Sequence, residues 1–210
     1  MTIKPNHTFV ILAYKNSQHL IFCIQSLINQ SVKSEIIIST STPSSFIDSL
    51  ADKYSLPVFI NNKRDGVASD WSFAYKICKT KYVILAHQDD IYYADYCKKS
   101  IEAMDKKNGL ISFTDYYELY NDKKRANTLN LIIKRMILFP FFITRRPLYP
   151  KSLKQFMISF GSPICCPGVT YNKKKSAILI LTRSLLLIWI GICGLTWPKK
   201  KGLFPLCLRG

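Results

Sequence analysis

The chain has 210 residues, enough for one domain with a full core, and its 48% apolar and 20% charged composition excludes a disordered polar chain. With 8 glycines, 10 prolines and 7 cysteines it is neither collagen-like nor a disulfide scaffold. No two cysteines form a CxxC pair, so structural zinc is not expected and the thiols read as reduced, as in a cytosolic protein. The opening MTIKPNHT lacks the basic-then-apolar pattern of a secretory signal. The net charge of +17 is unevenly placed: residues 1–122 hold 13 Lys+Arg and all 13 Asp+Glu, and residues 123–210 hold 17 Lys+Arg and no acid.

In chain order, residues 8–14 (TFVILAY) read as a buried strand closed by Lys15, Asn16 and Ser17. Leu20, Ile21, Ile24, Leu27 and Ile28 then recur at helical spacing over 18–30, with Ser17 as expected N-cap. Residues 35–39 (EIIIS) predict a second strand, 45–54 a helix and 57–61 (PVFIN) a third strand. The loop NKRDG leads into a helix at 67–79, and KYVILAH (81–87) predicts a fourth strand ending on Gln88-Asp89-Asp90. A helix from about 92 to 107 and a fifth strand at Gly109–Thr114 follow.

Strands that are continuous apolar runs, alternating with helices, predict an α/β fold with a mostly parallel sheet covered on both faces. Ligands of such sheets bind beyond the carboxyl ends of the strands, so Tyr14, Ser39-Thr40, Asn61 and Gln88-Asp89-Asp90 are the polar residues to watch. Asp89 and Asp90 directly follow a buried strand, a placement suited to holding Mg²⁺ or Mn²⁺ on carboxylate oxygens shared with substrate phosphates. The same pair would equally serve as a cap for the next helix.

Tyr14-Lys15-Asn16, Ser26-Leu27-Ile28-Asn29-Gln30 and His87-Gln88-Asp89-Asp90, in this order and spacing, resemble the N-terminal half of family 2 glycosyltransferases. The likeness runs over residues 8–120 and more weakly through Gly161–Asn172. It implies a GT-A fold (Rossmann-like), an inverting reaction, a nucleotide-diphosphate sugar as donor and a saccharide or lipid-linked acceptor, with a place in bacterial polysaccharide or O-antigen assembly at the cytoplasmic face of the plasma membrane. By resemblance Tyr14 lies at the base, Asp89 near the ribose or diphosphate and Asp90 on the metal. Asp65 is expected by the same resemblance at the base or ribose and Asp115 where the acceptor pocket begins, while Ser39 and Gln88 are expected to line the nucleotide from their places at strand ends. Each also has a plain structural reading: Tyr14 as core packing, Asp65 as a turn residue beside Gly66, Asp115 as a strand-end cap. One departure is visible: the family's acid after the second strand is replaced by Ser39-Thr40-Ser41.

The division expected is a nucleotide-sugar core at 1–122, a basic and apolar acceptor-side segment at 123–175, and an irregular tail at 176–210. In the middle segment Lys123, Lys124, Arg125, Lys134, Arg135, Arg145, Arg146, Lys151 and Lys154 are interleaved with LNLII and MILFPFFI, a pattern suited to peripheral contact with an anionic membrane. A solvated helix pair fits the same residues. No RNP-type, helix-turn-helix or zinc signature accompanies the charge, so nucleic acid is not an expected partner.

An inverting transfer needs a base for the acceptor hydroxyl, which the resemblance puts at an acid well after the Asp pair, and none follows Asp122. Lys173–Lys175 implies an A-rich, slippage-prone run. Read from the third base of each codon beyond it, Trp189-Ile190 forces Asp and Trp197-Pro198 forces Ala, and permitted codons yield Asp-Trp-Asp-Met-Trp. The tail therefore reads as an out-of-frame product, leaving the chain without its expected base and with lowered turnover. The competing reading is a membrane anchor at 177–197, in which Arg183 would cost about 2.5–3.5 kcal/mol if central. A sugar-nucleotide-binding remnant without turnover, or an anchored protein with a Rossmann-like head, are the other functional readings.

Overall fold

The computed structural model describes residues 5–63, 65–107, 109–121, 123–144, 163–176, 195–196 and 206–208. Its centre is β1 (His7–Ala13), paired in parallel with β2 (Glu35–Thr40) on one side and β4 (Tyr82–His87) on the other. β3 (Val58–Ile60) continues the parallel set beyond β2. On the far side of β4, β9 (Val169–Asn172) runs antiparallel between β4 and β6 (Ile111–Phe113). With β10 (Leu195–Thr196) beside β6, the order is β10-β6-β9-β4-β1-β2-β3. A second sheet orders β5 (Asp90–Ile91), β11 (Leu206–Leu208), β7 (Tyr117–Tyr120) and β8 (Lys123–Arg125).

The strands are apolar throughout because both faces are covered. Phe9, Ile11 and Ala13 of β1 meet Ile38, Ile84 and Ala86. On the same face lie α1 (Leu20–Ile28), α2 (Ser45–Tyr54) and α4 (Tyr96–Lys107). Val10 and Leu12, opposite in parity, meet Ile37, Val83 and Leu85 under α3 (Val67–Ile77) and Leu138 of α5 (Leu129–Thr144). Each fully buried aliphatic side chain contributes about 1.5–3 kcal/mol, so this double-sided layer holds the parallel strands in register.

The expected helices and strands are all present, with shifted ends. Ser17 does not cap α1: its carbonyl accepts from Leu20 N (3.2 Å), and His19, the residue at the cap, makes no side-chain cap bond. Ser44 does cap α2, its hydroxyl accepting from Ile47 N, while Asp48 and Lys53 lie at the ends that suit the helix dipole. α3 is entered through Gly66 at φ +80°, a backbone that a side chain would strain. α4 starts at Tyr96 rather than at 92, so neither Asp89 nor Asp90 caps it, and that alternative is set aside. The tail is not wholly irregular, since its described residues form β10 and β11. The 145–154 half of the basic stretch and most of the 177–197 anchor candidate lie outside the described residues. Among the described residues no helix is long and apolar enough to cross a membrane.

Candidate functional site

The carboxyl ends of β1 to β4 form one rim, tied together by side chains crossing between loops. At its middle, β4 ends on His87, Gln88 and Asp89, and Asp90 opens β5. One ligand atom each from His87, Asp89 and Asp90 lies within 4.8 Å of the others, the one such cluster among the described residues. Asp90 is buried at 1% exposure, 4.0 Å from His87 Nδ1, and its backbone pairs with Cys207 of β11. His87 Nε2 is wholly buried and has no hydrogen-bond partner among the described residues. Trp71 of α3 packs its ring 5.2 Å from the imidazole. Burial lowers the His87 pKa below its ordinary value, with Asp89 opposing, which leaves a neutral ring whose lone pair is available.

Helix α1 supplies the frame for this turn. The Cys23 thiol donates to the His87 carbonyl (3.3 Å), and burial, followed by the charges of Asp90 and Asp89, raises that thiol's pKa far up, so it stays protonated. Ser26 Oγ accepts from Tyr92 N (3.1 Å). Gln30 donates to the Tyr93 carbonyl (2.9 Å) and accepts from Cys97 N (3.0 Å). The Ser-Leu-x-x-Gln pattern thus clamps the chain that leaves the Asp pair.

Tyr14 is 52% exposed, which excludes the core-packing reading. Gln88 does not face outward with it: Gln88 Oε1 accepts from Tyr14 N (2.9 Å) and Gln88 Nε2 donates to Tyr14 O (3.0 Å), so the amide is spent on holding the β1 loop. Lys15 N donates to Thr42 Oγ1 (2.7 Å) and Ser44 Oγ to Asn16 Oδ1 (2.7 Å), joining the β1 loop to the β2 loop. Ser39 lies inside β2 at 3% exposure, so the sheet and not the rim holds it. The residue missed from sequence is Asp70: its carboxylate accepts from Ser41 (2.8 Å) and from Asn61 (2.8 Å), at the ends of β2 and β3. A helix thus delivers an acid to the edge where Ser39-Thr40-Ser41 lack one. Its signal was an Asp in the first turn of a helix following NKRDG, which reads locally as dipole stabilisation. Asp65 is exposed just ahead of Gly66, at the entrance to α3.

Asp115 lies apart from the cluster in sequence and in role. Arg135 Nε donates to its Oδ2 (2.8 Å) and Tyr116 N to its Oδ1 (2.9 Å), while Arg135 also donates to the carbonyls of Tyr116 and Ala126. Burial raises the Asp115 pKa, opposed by the Tyr116 bond and by Arg135.

The chain matches the family model for glycosyl transferase family 2 over residues 8–180. No curated protein matches it. Among solved structures, residues 1–349 of TarS from S. aureus superpose with a TM-score of 0.71 at 10% identity, covering 97% of this chain and 60% of that one. The same TarS segment in complex with UDP-GlcNAc gives 0.65 at 11% identity, over 98% and 59%. The mannosyltransferase PcManGT from Pyrobaculum calidifontis, in complex with GDP-Man and Mn²⁺, gives 0.61 at 12% identity, over 99% and 57%. The chain therefore spans about 60% of the length of these structures, and the likeness establishes a shared GT-A fold. The matched length and the rim built on β1 to β4 place the chain in glycosyl transferase family 2.

Proposed function

We propose that this chain binds a nucleoside-diphosphate sugar at the β1–β4 rim and, in its intact form, transfers the sugar with inversion to a saccharide or lipid-linked acceptor. The observation that carries this reading is the grouping of His87, Asp89 and Asp90 at the end of β4. The carboxylates of Asp89 and Asp90, grouped with His87, fit a divalent cation, Mg²⁺ or Mn²⁺. When bound, such an ion offsets charge on the leaving diphosphate. TarS with UDP-GlcNAc and PcManGT with GDP-Man and Mn²⁺ support the donor class.

The protein's own groups divide the remaining work. Exposed Tyr14, fixed through its backbone by Gln88, offers a ring for the base to stack on. Asp70, held by Ser41 and Asn61, accepts from donors on the base or ribose, and Asp65 borders the same side. The acceptor hydroxyl attacks the anomeric carbon opposite the diphosphate, and a carboxylate must take its proton. Asp115 accepts from Arg135 and Tyr116, which supports a role in anchoring α5 rather than as that base. An acid lost to an out-of-frame tail from about Ser176 accounts for the missing base, in keeping with a family match that ends at residue 180. Sequencing the coding DNA across Lys173–Lys175 checks this: stop codons in the alternative frame, or no Asp-Trp-Asp there, overturn it.

Calorimetry with Mn²⁺ and a panel of UDP- and GDP-sugars tests the donor reading. Binding that needs the metal and disappears in Asp89→Asn is expected; no heat for any donor overturns it.

The acceptor side supports contact with a membrane at its cytoplasmic face. Leu129, Ile132, Ile133, Met136 and Phe139 of α5 are exposed at helical spacing, with exposed Lys123, Lys124 and Arg125 nearby in sequence. Co-sedimentation with phosphatidylglycerol vesicles, lost in Met136→Glu, is expected; equal binding to neutral vesicles contradicts the electrostatic part.

A further inference from the structure

Helix α5 carries two adjacent cations on its inner side. Leu131 and Leu138 mark its buried stripe, and Lys134 and Arg135 fall between them, both half-buried, while Ile132, Ile133 and Met136 face outward. Arg135 is matched by Asp115. Lys134 has no such match: among the described residues no carboxylate pairs with it. Its Nζ donates instead to the phenol oxygen of Tyr116 (2.8 Å), a side chain buried at 4% exposure. An ammonium has three N–H donors, and here one is spent on a neutral partner. A cation drawn partly out of water without a counter-charge is costly, so the arrangement suits an incoming anion.

The surroundings indicate which anion. Tyr116 follows β6, and the 3-10 turn Cys166–Gly168 links that strand end to the Asp pair: Thr114 N donates to the Gly168 carbonyl (3.1 Å), and the Tyr92 phenol donates to the Pro167 carbonyl (3.1 Å). Burial pushes the Cys166 thiol up to about 11, with Lys134 drawing it down and Asp90 adding to the rise, so both charges act on one sulfur. In the sheet order, β6 and β9 lie on one side of β4, and β1, β2 and β3 on the other. Tyr14 and Asp70 belong to the β1–β3 side, Asp89 and Asp90 to the middle, and Lys134 to the β6 side. A donor with its base over β1 and β2 and its phosphates at the Asp pair has its far end toward Lys134.

We propose that Lys134 is a phosphate-binding residue that grips the distal phosphate of the donor from the side opposite the nucleoside. This rests on the nucleotide-sugar reading of the rim. In the transfer the bond from the anomeric carbon to the diphosphate oxygen breaks and its electron pair stays on that oxygen. The Lys134 ammonium donates a hydrogen bond to the departing phosphate and keeps its proton, a charge-assisted contact that strengthens as negative charge develops.

The test is calorimetry on the full chain in Mn²⁺ with UDP and GDP, each beside its monophosphate and its nucleoside. For the diphosphate that binds, Lys134→Gln is expected to lower affinity at least about tenfold, while the monophosphate changes less than about threefold. Lys134→Arg, which keeps the charge, should hold the diphosphate within about threefold of the wild type. Melting curves accompany each variant, and Lys134→Met, which keeps the apolar stem, gives the same reading should the Gln variant unfold. Equal losses for diphosphate, monophosphate and nucleoside would mean that Lys134 only positions α5, and would overturn the proposal. Unchanged diphosphate affinity in Lys134→Gln overturns it too and leaves the donor site standing. A wild-type chain that binds neither UDP nor GDP overturns the donor reading itself, and the phosphate role with it.

Discussion

The loops at the ends of β1 to β4 and the region from Tyr116 through α5 use polar residues in opposite ways. In the first, acids and amides bond across loops: Asp70 to Ser41 and Asn61, Gln88 to Tyr14, Gln30 to Tyr93 and Cys97. In the second, Asp115, just ahead of it, gathers Arg135 while an apolar stripe on α5 faces outward. Residues 1–122 have balanced charge and residues 123–210 are wholly basic, and the two behaviours follow that split. A balanced stretch can satisfy its charges internally and hold a rigid site. An acid-free stretch must find anions elsewhere, in solvent, substrate or lipid.

The strongest way to break this contrast is at the cluster. Asp90→Ala is expected to weaken metal-dependent UDP-sugar binding by about 100-fold or more while the protein stays folded, read by calorimetry beside a melting curve. Binding kept within threefold would remove the cluster from the donor site. Next is Gln30→Ala, which leaves Cys97 N unpaired and takes one of two donors from the Tyr93 carbonyl, whose bond from Tyr96 N remains, and is expected to cost about 1–2 kcal/mol in urea unfolding. It should also weaken Mn²⁺ binding, which a purely local role would not do. Arg135→Ala sharpens the other side. The pair is partly exposed, with side chains 27% and 18% accessible, so about 1–2 kcal/mol is expected. Donor binding should be unchanged if Asp115 only anchors α5.

The smallest effect concerns pH. Burial lowers the His7 pKa from 6.5 to about 4, while its Nε2 shares a 2.6 Å hydrogen bond with Ser34 Oγ. The unfolded chain takes up this proton first, so the contribution to stability is present above pH 6.5 and is lost as pH falls toward 4. A melting temperature that declines over this window, with a flatter decline in His7→Gln, is expected; identical slopes would remove His7 as the cause.

Much of the sheet was legible because burial on both faces demands unbroken apolar runs such as FVILA and YVILA. The Asp pair was legible as a candidate because it directly follows such a run at the carboxyl edge of the sheet, and only the start of α4 at Tyr96 removes its reading as a helix cap. β7, β8 and the antiparallel β9 were not foreseen, since three- and four-residue strands carry too little periodicity to detect. Ser39 and Gln88 were assigned to the ligand because they stand near strand ends. Strand β2 runs one residue further than expected and buries Ser39, and the Gln88 amide is taken by a backbone 74 positions away.

Local pattern alone determined the alternation of strands and helices, the edge where the site lies, and the carboxylates that mark it, because periodicity and chain order carry that information. Which acid stands at the end of β2, that Gln30 and Cys23 brace the turn after β4, and that His87 joins the two aspartates were decided only by tertiary structure. Those contacts join residues far apart in the chain, and only packing brings their atoms within bonding distance.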